Sequence, residues 1–313
     1  MEKSGLNRRD FFNVAGAGLA GLAGIVSNPV LAVAHEEDCG CSEPKIEPVG
    51  INPFYRLWMA NGLLDIDGDG ARNVPYEIIG AKSRFRHAGI EPLSMVVHAN
   101  DPEQVGKDVQ LEIWNSDRVV HSNHPAGHLY LTSPDIVISW PGINLFPGNY
   151  TAFVKLNGVP KARSEFRVTT CDVPLSRAYK HNLETQGVRL TTCNSARDHD
   201  GKGYIGPFDY LGEKDSFRPG ESLIVACSVD GTSGLDGRKL DLKLFNSNFN
   251  SIGQSLDLNS AYVNGSFMLP TGNIMPEIMA RYGGEGHYAV AAIANGKTVG
   301  VKHFDVRQGC GRC

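Results

Sequence analysis

Alternating apolar and polar residues mark strands in two places along this chain. Residues 109–113 run Val-Gln-Leu-Glu-Ile, and residues 240–244 run Leu-Asp-Leu-Lys-Leu. A period of two residues is typical of a β-strand that turns one face toward a core and the other toward water. The pattern therefore predicts half-buried strands in both halves of the chain.

Two Asn-Gly pairs predict tight β-hairpins. The pairs at 157–158 and 295–296 each separate two apolar runs, and this dipeptide favours the turn that joins adjacent antiparallel strands. They would connect the last two strands of each half, within 150–168 and 288–306. A short helical pattern at 270–281 predicts one helix in a connection between strands.

The chain contains an internal duplication. Seven short segments recur in the same order, and the repeating unit is about 120 residues long, which is the size of a domain rather than of a solenoid repeat. The matched segments are 65–70 with 198–203, 75–82 with 207–214, 85–86 with 217–218, 109–116 with 240–247, 148–150 with 286–288, 157–158 with 295–296, and 166–168 with 304–306.

The duplication defines the predicted fold. We predict an all-β chain of two tandem immunoglobulin-like β-sandwich domains, because several short strands with turn signals and little helical pattern are typical of sandwiches. The term describes architecture only, since the pattern lacks the inter-sheet disulfide and its tryptophan. The predicted bounds are 35–49 for a leading segment, 50–173 for domain 1, 174–193 for a connection, and 194–313 for domain 2.

Composition supports packed domains and narrows the partners. Apolar residues make up 41% of the chain and charged residues 20%, which excludes a wholly disordered protein. The 36 glycines and 17 prolines fit a chain of short strands and turns. The formal net charge of -4 argues against a strongly basic nucleic-acid-binding protein.

Residues 1–34 resemble a twin-arginine (Tat) export signal. Arg8 and Arg9 precede two phenylalanines and a Gly/Ala-rich apolar stretch, and Ala-Val-Ala at 32–34 is typical of a cleavage site. The alternative interpretation is an N-terminal membrane anchor. The resemblance implies export of the folded protein to the periplasm or the exterior, with a mature chain that begins at His35. No later stretch approaches the roughly 18 apolar residues of a membrane span.

Two acidic loops, one at the start of each predicted domain and before its first strand, resemble the first half of an EF-hand calcium loop. Alternating carboxylates in a Gly-containing turn place several oxygens around one point, and Ca²⁺ takes six to eight oxygen ligands. An acidic residue follows at the closing position of each loop, and Lys202 replaces one carboxylate of the second. We predict structural calcium, and ordinary Asp/Gly-rich turns are the alternative. The predicted ligands are Asp65, Asp67, Asp69, Glu77, Asp198, Asp200 and Asp209.

The seven cysteines point to disulfides, because an exported protein resides in an oxidising compartment. Cys227 lies in an apolar run and is predicted to be a buried free thiol. A bridge between Cys171 and Cys193 would clamp the connection. The terminal pairs have three open interpretations, namely structural disulfides, a redox or sulfur-carrying dithiol, and a metal site. The disulfide candidates, whose pairing the sequence leaves open, are Cys39, Cys41, Cys171, Cys193, Cys310 and Cys313.

The C-terminus resembles that of the sulfur-carrier subunit of the thiosulfate-oxidising (Sox) system. The stretch 289–306, followed by Gln-Gly-Cys-Gly at 308–311, is similar to the end of that family, which also carries a Tat signal and a sandwich domain. The resemblance implies that Cys310 carries a sulfur adduct. Arg312 and Cys313 stand where the family has its final glycines, and the duplicated domain is a further departure.

Three histidines within eight residues, His121, His124 and His128, form a candidate copper or zinc site. The alternative is the ordinary polarity of a surface loop. The sequence has no nucleophile elbow, HExxH or P-loop motif, and no GxGxxG motif that follows a predicted strand, which favours a non-enzymatic protein.

We therefore predict an exported binding, carrier or assembly module that is stabilised by calcium and disulfides and has an unidentified protein partner. Two alternatives remain open. One is a redox or sulfur carrier that uses Cys310 and Cys313, and the other is a metal-binding accessory protein that uses the three histidines.

Overall fold

The computed structural model describes residues 52–66, 68, 70, 72–87, 91–123, 129–170, 175–198, 201–202, 205–206, 209–246 and 255–308. These described residues form 22 strands and one short helix, and all of them belong to one compact unit. The predicted all-β sandwich class is confirmed.

The first sandwich pairs a three-stranded sheet with a larger one. Its strands are β1 (Tyr55–Ala60), β2 (Gly62–Leu63), β3 (Ile78–Ile79), β4 (Arg84–Arg86), β5 (Ser94–Asn100), β6 (Asp108–Asn115), β7 (Arg118–Ser122), β8 (Leu129–Tyr130), β9 (Asp135–Trp140), β10 (Gly148–Leu156) and β11 (Val159–Thr169). The small sheet has the order β1-β5-β9, and the larger sheet has the order β4-β11-β10-β6-β7 with β8 beside β6. β2 and β3 form a separate antiparallel hairpin.

The alternation predicted at 109–113 is confirmed and explains the core of this sandwich. Val109, Leu111 and Ile113 of β6 are buried, whereas the residues between them are only partly so. β10 alternates in the same way from Tyr150 to Leu156. Because the inward faces of both sheets are apolar, they enclose one continuous hydrophobic cluster.

The second sandwich has the same plan. Its elements are β12 (Leu183–Glu184), β13 (Val188–Cys193), β14 (Ser195–Ala196), β15 (Tyr210–Leu211), β16 (Ser216–Phe217), β17 (Ile224–Val229), β18 (Lys239–Asn246), β19 (Ser255–Tyr262), β20 (Phe267–Pro270), α1 (Met275–Tyr282), β21 (Gly286–Ala294) and β22 (Lys297–Val306). One sheet has the order β13-β17-β20, and the other has the order β12-β22-β21-β18-β19 with β16 beside β22.

The main strands of the two sandwiches correspond, although β12 has no counterpart among the described strands of the first. β13-β17-β20 corresponds to β1-β5-β9, and β22-β21-β18-β19 corresponds to β11-β10-β6-β7. A short strand runs parallel to the last strand in each, β4 beside β11 and β16 beside β22. Asn157 and Asn295 occupy the final hairpin turns with φ of 48° and 50°, as the Asn-Gly pairs predict.

Each sandwich also contains a tyrosine corner, in which a tyrosine hydroxyl donates a hydrogen bond to a backbone carbonyl a few residues earlier in the chain. This motif is typical of immunoglobulin-like folds. The Tyr150 hydroxyl donates a hydrogen bond to the carbonyl oxygen of Phe146 at 2.7 Å. The Tyr288 hydroxyl donates in the same way to Gly284 at 2.8 Å. These tyrosines lie in the matched segments 148–150 and 286–288, so the duplication extends to this local detail.

The predicted connection at 174–193 includes the first strand of the second sandwich and is therefore too long. β13 pairs with β17 in the same antiparallel manner as β1 pairs with β5. The strand escaped prediction because its sequence, Val-Arg-Leu-Thr-Thr-Cys, shows no apolar alternation beyond Leu190. Thr191 and Thr192 are nevertheless buried. The second sandwich thus begins before residue 194.

The short helix predicted at 270–281 is present as α1, between β20 and β21. Proline lies in its first turn and Gly283, with φ of 73°, ends it, which are the residues that favour those two positions. Ile278 packs into the core of the second sandwich. Among the described residues, no helix is both long enough and apolar enough to cross a membrane.

Candidate functional site

The acidic loops lie within two matching hairpins, and this position corrects the prediction that they precede the first strands. The first loop connects β2 to β3, and the second connects β14 to β15. β1 and β13 come earlier in the chain and escaped prediction because both of their faces are largely buried. Such strands lack the alternation that marks a half-exposed strand.

In the first loop, carboxylates hold the backbone in place. Asp65 Oδ2 accepts a hydrogen bond from the Gly70 N–H at 3.0 Å. Glu77, which is fully buried, accepts from the N–H groups of Ile66 at 2.8 Å and of Asn73 at 2.5 Å. Asp65 Oδ1 is enclosed and has no hydrogen-bond partner among the described residues. The predicted ligands Asp67 and Asp69 lie outside the described residues.

The second loop uses its carboxylates similarly. Asp198 Oδ1 accepts a hydrogen bond from the Lys202 N–H at 3.1 Å, and the buried Asp209 accepts from the Gly206 N–H at 2.7 Å. Asp200 lies outside the described residues. Within the part of the chain that the structure describes, no three His, Cys, Asp or Glu side chains converge as a metal site.

Two of the seven cysteines are described, and both are buried free thiols. Cys227 confirms its prediction, and burial raises the pKa of its thiol to about 12. Cys193, the last residue of β13, carries no disulfide. Burial also raises its pKa. The other disulfide candidates, Cys39, Cys41, Cys171, Cys310 and Cys313, lie outside the described residues.

Of the predicted histidine cluster, only His121 is described. Its ring stacks on Trp140 with a centroid distance of 4.8 Å and an interplanar angle of 12°. Burial lowers its pKa. His124 and His128 lie outside the described residues, so the predicted copper or zinc site remains a prediction.

The main feature that sequence reasoning missed is the contact between the two sandwiches. The hairpin β2–β3 packs on the outer face of the sheet that contains β18, β21 and β22, and the shared cluster is apolar. We call the first sandwich's side the hairpin surface (Leu64, Ile66, Tyr76 and Ile79) and the second sandwich's side the receiving face (Phe245, Ala289, Ala291, Ile293 and Val301). Every residue of β21 is buried as a result.

A network of charged side chains lies beside this apolar contact. Lys82 of the first sandwich forms an ion pair with Glu91 and donates a hydrogen bond to His287 Nε2 at 2.7 Å. His287 Nδ1 in turn donates to Asp305 at 2.6 Å. Lys180, from the segment between the sandwiches, pairs with the same Asp305 oxygen at 2.5 Å. The network therefore joins both sandwiches and the segment that links them.

Burial determines the charge state of the imidazole. Burial and the neighbouring Lys82 charge lower the pKa of His287 to about 4, although Asp305 opposes this. Burial alone would raise the pKa of Asp305, but the Lys180 charge and the hydrogen bond from His287 hold it well below its usual range. At neutral pH the imidazole is uncharged, and the network places two lysines against two carboxylates.

The Lys82–Glu91 pair is almost completely removed from water, with side-chain exposures of 1% and 4%. Burial would raise the pKa of Glu91, but Lys82 and a hydrogen bond from the Arg86 N–H at 2.9 Å lower it overall. Asn61 Nδ2 donates a further hydrogen bond to Glu91 at 2.9 Å. Such a pair persists only where its remaining hydrogen-bonding groups are satisfied, and these contacts satisfy the carboxylate.

Further polar contacts fix the linking segment against both sandwiches. The Tyr179 N–H donates to the carbonyl oxygen of Ala81, and the His303 N–H donates to Asn182 at 2.8 Å. His303 Nε2 lies 2.9 Å from the carbonyl oxygen of Tyr76. Burial lowers the pKa of His303 to about 3, so the neutral ring is the donor in this bond. These contacts make the segment part of the interface.

The duplication holds the signal that locates the receiving face. When the two halves are aligned in sequence, Thr151, Phe153 and Lys155 of β10 match Ala289, Ala291 and Ile293 of β21. β21 is apolar at all three positions, whereas β10 carries two polar residues there, and a strand that is apolar on both faces has a buried second face. This comparison between the halves, rather than the pattern within either half, was the sign of a covered sheet.

Comparisons with known proteins place the chain in no family. No protein-family model matches it, and no curated protein sequence matches it. Among solved structures, the crystal structure of trypsin-activated alpha-2-macroglobulin from Escherichia coli is similar with a TM-score of 0.22 and 10% sequence identity, over 83% of this chain and 16% of that chain. The chain thus spans a small part of that protein, and the fold assignment rests on the sheets themselves.

Proposed function

We propose that this protein is an exported, non-enzymatic binding and assembly module. The observation that carries the proposal is the contact between its own sandwiches, in which a hairpin of one domain covers a sheet face of the next. Sheet faces and strand edges are surfaces that β-domains offer to other proteins. A chain that already joins domains in this way is suited to extend the same contact to a partner.

The test is the state of the protein in the extracytoplasmic fraction. We expect the tagged full-length chain, gently extracted and separated by native electrophoresis, to migrate in a stoichiometric complex with another polypeptide. The proposal would be contradicted if the protein, at its concentration in the cell, migrated only as the free chain. Enzyme activity in the purified chain alone would contradict its non-enzymatic character.

Export through the Tat pathway is the second part of the proposal, and it is supported by the paired arginines and the small-residue cleavage site. Replacing Arg8 and Arg9 by lysine is expected to retain the chain in the cytoplasm as precursor. Replacing Lys3 by arginine serves as the matched control, because it alters a basic residue outside the pair. Unchanged export of the double variant, or a mature N-terminus other than His35, would contradict this part.

We also propose that the first acidic loop holds a calcium ion that stabilises the hairpin surface. The enclosed Asp65 Oδ1, with no hydrogen-bond partner among the described residues, supports the proposal, because a buried carboxylate oxygen needs a cation or a donor. Glu77 closes the loop through the backbone, and Ile66 joins the loop to the interface. The second loop, with Asp198 and Asp209, is proposed as a weaker site, since Lys202 removes a ligand charge.

Calorimetry tests the calcium proposal. We expect added calcium to raise the melting temperature of the wild-type chain and EGTA to reverse the effect. Asp65→Asn should abolish most of the rise. Asp257→Asn, at a side chain that is 84% exposed, should leave it intact. Equal melting temperatures with calcium and with EGTA would overturn the proposal.

A sulfur carrier is the second candidate function, and the contacts of residues 307 and 308 with the second sandwich favour it. Arg307 Nε donates to Ser216 Oγ at 3.0 Å, and the Gln308 N–H donates to Glu285 at 2.8 Å. The chain is thus fixed on the second sandwich two residues before Cys310, the residue that would carry the sulfur. Intact mass before and after reduction tests the idea, with Cys310→Ser as control. Loss of sulfur on reduction of the wild type would support it, and Cys310 in a structural disulfide would overturn it.

A further inference from the structure

The buried Lys82–Glu91 pair has a duplicate in the second sandwich. Lys214 Nζ pairs with Glu221 at 2.7 Å, and the Arg218 N–H donates to Glu221 at 2.8 Å, as the Arg86 N–H donates to Glu91. Even the packing of the ammonium group repeats, since Lys214 lies 5.0 Å from the centre of the Phe217 ring and Lys82 lies 5.2 Å from that of Phe85.

The two copies differ most in their exposure to water. Lys82 and Glu91 are 1% and 4% exposed where the first sandwich contacts the second, whereas Lys214 and Glu221 are 32% and 34% exposed. The hairpins differ in the same direction. Ile79 of the hairpin surface is fully buried, and Leu211, at the matching position in β15, is 50% exposed. The second sandwich therefore carries an uncovered copy of the ion pair and of the apolar position of Ile79, whereas Arg197 and His199 stand where the hairpin surface has Leu64 and Ile66.

We propose that Leu211, Lys214, Arg218 and Glu221 form a docking surface for a β-sandwich domain of another polypeptide. The inference rests on the proposed role as an assembly module and names the class of partner. By analogy with the receiving face, the partner presents a sheet with small apolar residues opposite Leu211. It also presents a hydrogen-bond acceptor, backed by a carboxylate, opposite Lys214, as His287 and Asp305 do opposite Lys82.

Charge argues against a second copy of this chain as the occupant. The corresponding face of the first sandwich carries Lys155, Arg163 and Arg167 at the positions where the receiving face and its border carry Ile293, Val301 and Asp305. Glu112, which pairs with Lys155, and Glu165 lie on the same face, so that the net charge of these five side chains is positive by one. Docking it on the proposed surface would bring cationic side chains toward Lys214 and Arg218. Like charges facing each other across an interface disfavour the wrong partner. The observations therefore favour a different polypeptide.

Site-specific photo-crosslinking tests this surface in the full-length chain. With p-benzoylphenylalanine at position 211, expressed in the source organism, we expect an adduct with another polypeptide. Mass spectrometry should map the crosslink to a strand of a β-sandwich in that polypeptide. The same probe at Val159, which is 56% exposed in the first sandwich, provides a control of matched exposure and should give no such adduct.

Charge reversal distinguishes specific docking from proximity. Lys214→Glu is expected to reduce the adduct at least about tenfold, the change that 1.4 kcal/mol of binding free energy produces. Lys239→Glu, at a side chain that is 51% exposed, should not reduce it. If Lys214→Glu lowers the melting temperature, Lys214→Met replaces it, because that variant removes the charge while keeping the aliphatic stem.

Several outcomes would overturn the inference. They are an adduct with only a second copy of this chain, a crosslink outside a sandwich sheet, and an adduct that Lys214→Glu leaves unchanged. Absence of an adduct while the native complex persists would show that the module binds through another surface, so this inference would fail and the proposed function would stand. Absence of any native complex would contradict both.

Discussion

Replacing Glu91 by glutamine removes one charge from the buried network and preserves the shape of the side chain. The amide keeps one oxygen, which can accept the hydrogen bond from Asn61 or that from the Arg86 N–H but not both, because these donors bind different oxygens of Glu91. It leaves the Lys82 ammonium, which is 1% exposed, beside an uncharged His287 imidazole. Removing one partner of a buried ion pair costs about 3–5 kcal/mol of unfolding free energy, and we expect a loss in this range.

The loss of unfolding free energy in Glu91→Gln has an upper limit, because Lys82 can lose its proton. Burial already lowers its pKa, and Glu91 is the main opposing influence. Without Glu91 the folded protein can relieve the buried charge by releasing the proton. For a lysine with an ordinary pKa of about 10.4, deprotonation at pH 7 costs about 5 kcal/mol at 1.36 kcal/mol per unit. The loss should therefore not exceed about 5 kcal/mol.

The duplicate pair offers a matched control. Glu221→Gln makes the same chemical change beside Lys214, with the same backbone hydrogen bond, but at a pair that is about one-third exposed. Exposed pairs contribute about 0–1 kcal/mol, so this variant should remain close to the wild type. Urea unfolding at pH 7, followed by tryptophan fluorescence and circular dichroism, gives the two free energies.

The comparison refutes the reasoning if the two variants lose the same stability. A loss below about 1 kcal/mol for Glu91→Gln would mean that water or a rearranged side chain solvates Lys82. Adding Lys82→Met to Glu91→Gln supplies a second check. Because it removes the orphaned ammonium, it should recover part of the lost stability, as replacing a buried pair by apolar residues often does.

Three further predictions concern the same interface and the fold around it. The pKa of His287 is about 4 in the folded protein and about 6.5 in an unfolded chain, so the unfolded state binds the proton first as the pH falls. The free energy of unfolding should therefore decrease from pH 6.5 to pH 4. A urea midpoint that is constant over this window would contradict this. Ala289→Glu places a charge in the receiving face and should lower the unfolding free energy by at least about 3 kcal/mol. Thr151→Glu, at the matching position of the first sandwich, should change it by no more than about 0.5 kcal/mol. Equal losses in urea unfolding would refute the assignment of that face. Tyr288→Phe and Tyr150→Phe should each cost about 1–2 kcal/mol, since each leaves a carbonyl without its donor; calorimetry that shows neither loss would deny the tyrosine corners an energetic role.

The sequence by itself determined the strands and turns whose residue pattern depends only on neighbouring positions in the chain. The alternation at 109–113 and 240–244 reports one wet and one dry face, and it specified β6 and β18. The Asn-Gly pairs specified both final hairpins, because few other residues adopt a positive φ at low cost. The seven matched segments specified the duplication, which the shared strand order reproduces.

Tertiary structure decided which matching surfaces are covered. Segments 75–82 and 207–214 have nearly the same local sequence, and their lysines form the same ion pair and the same packing against phenylalanine. Local pattern therefore predicts the same environment for both. The first pair is removed from water by its contact with β21, in which Lys82 meets His287, a residue 205 positions later in the chain. Burial depends on the partner surface, and for the second pair that surface lies on no described part of this chain.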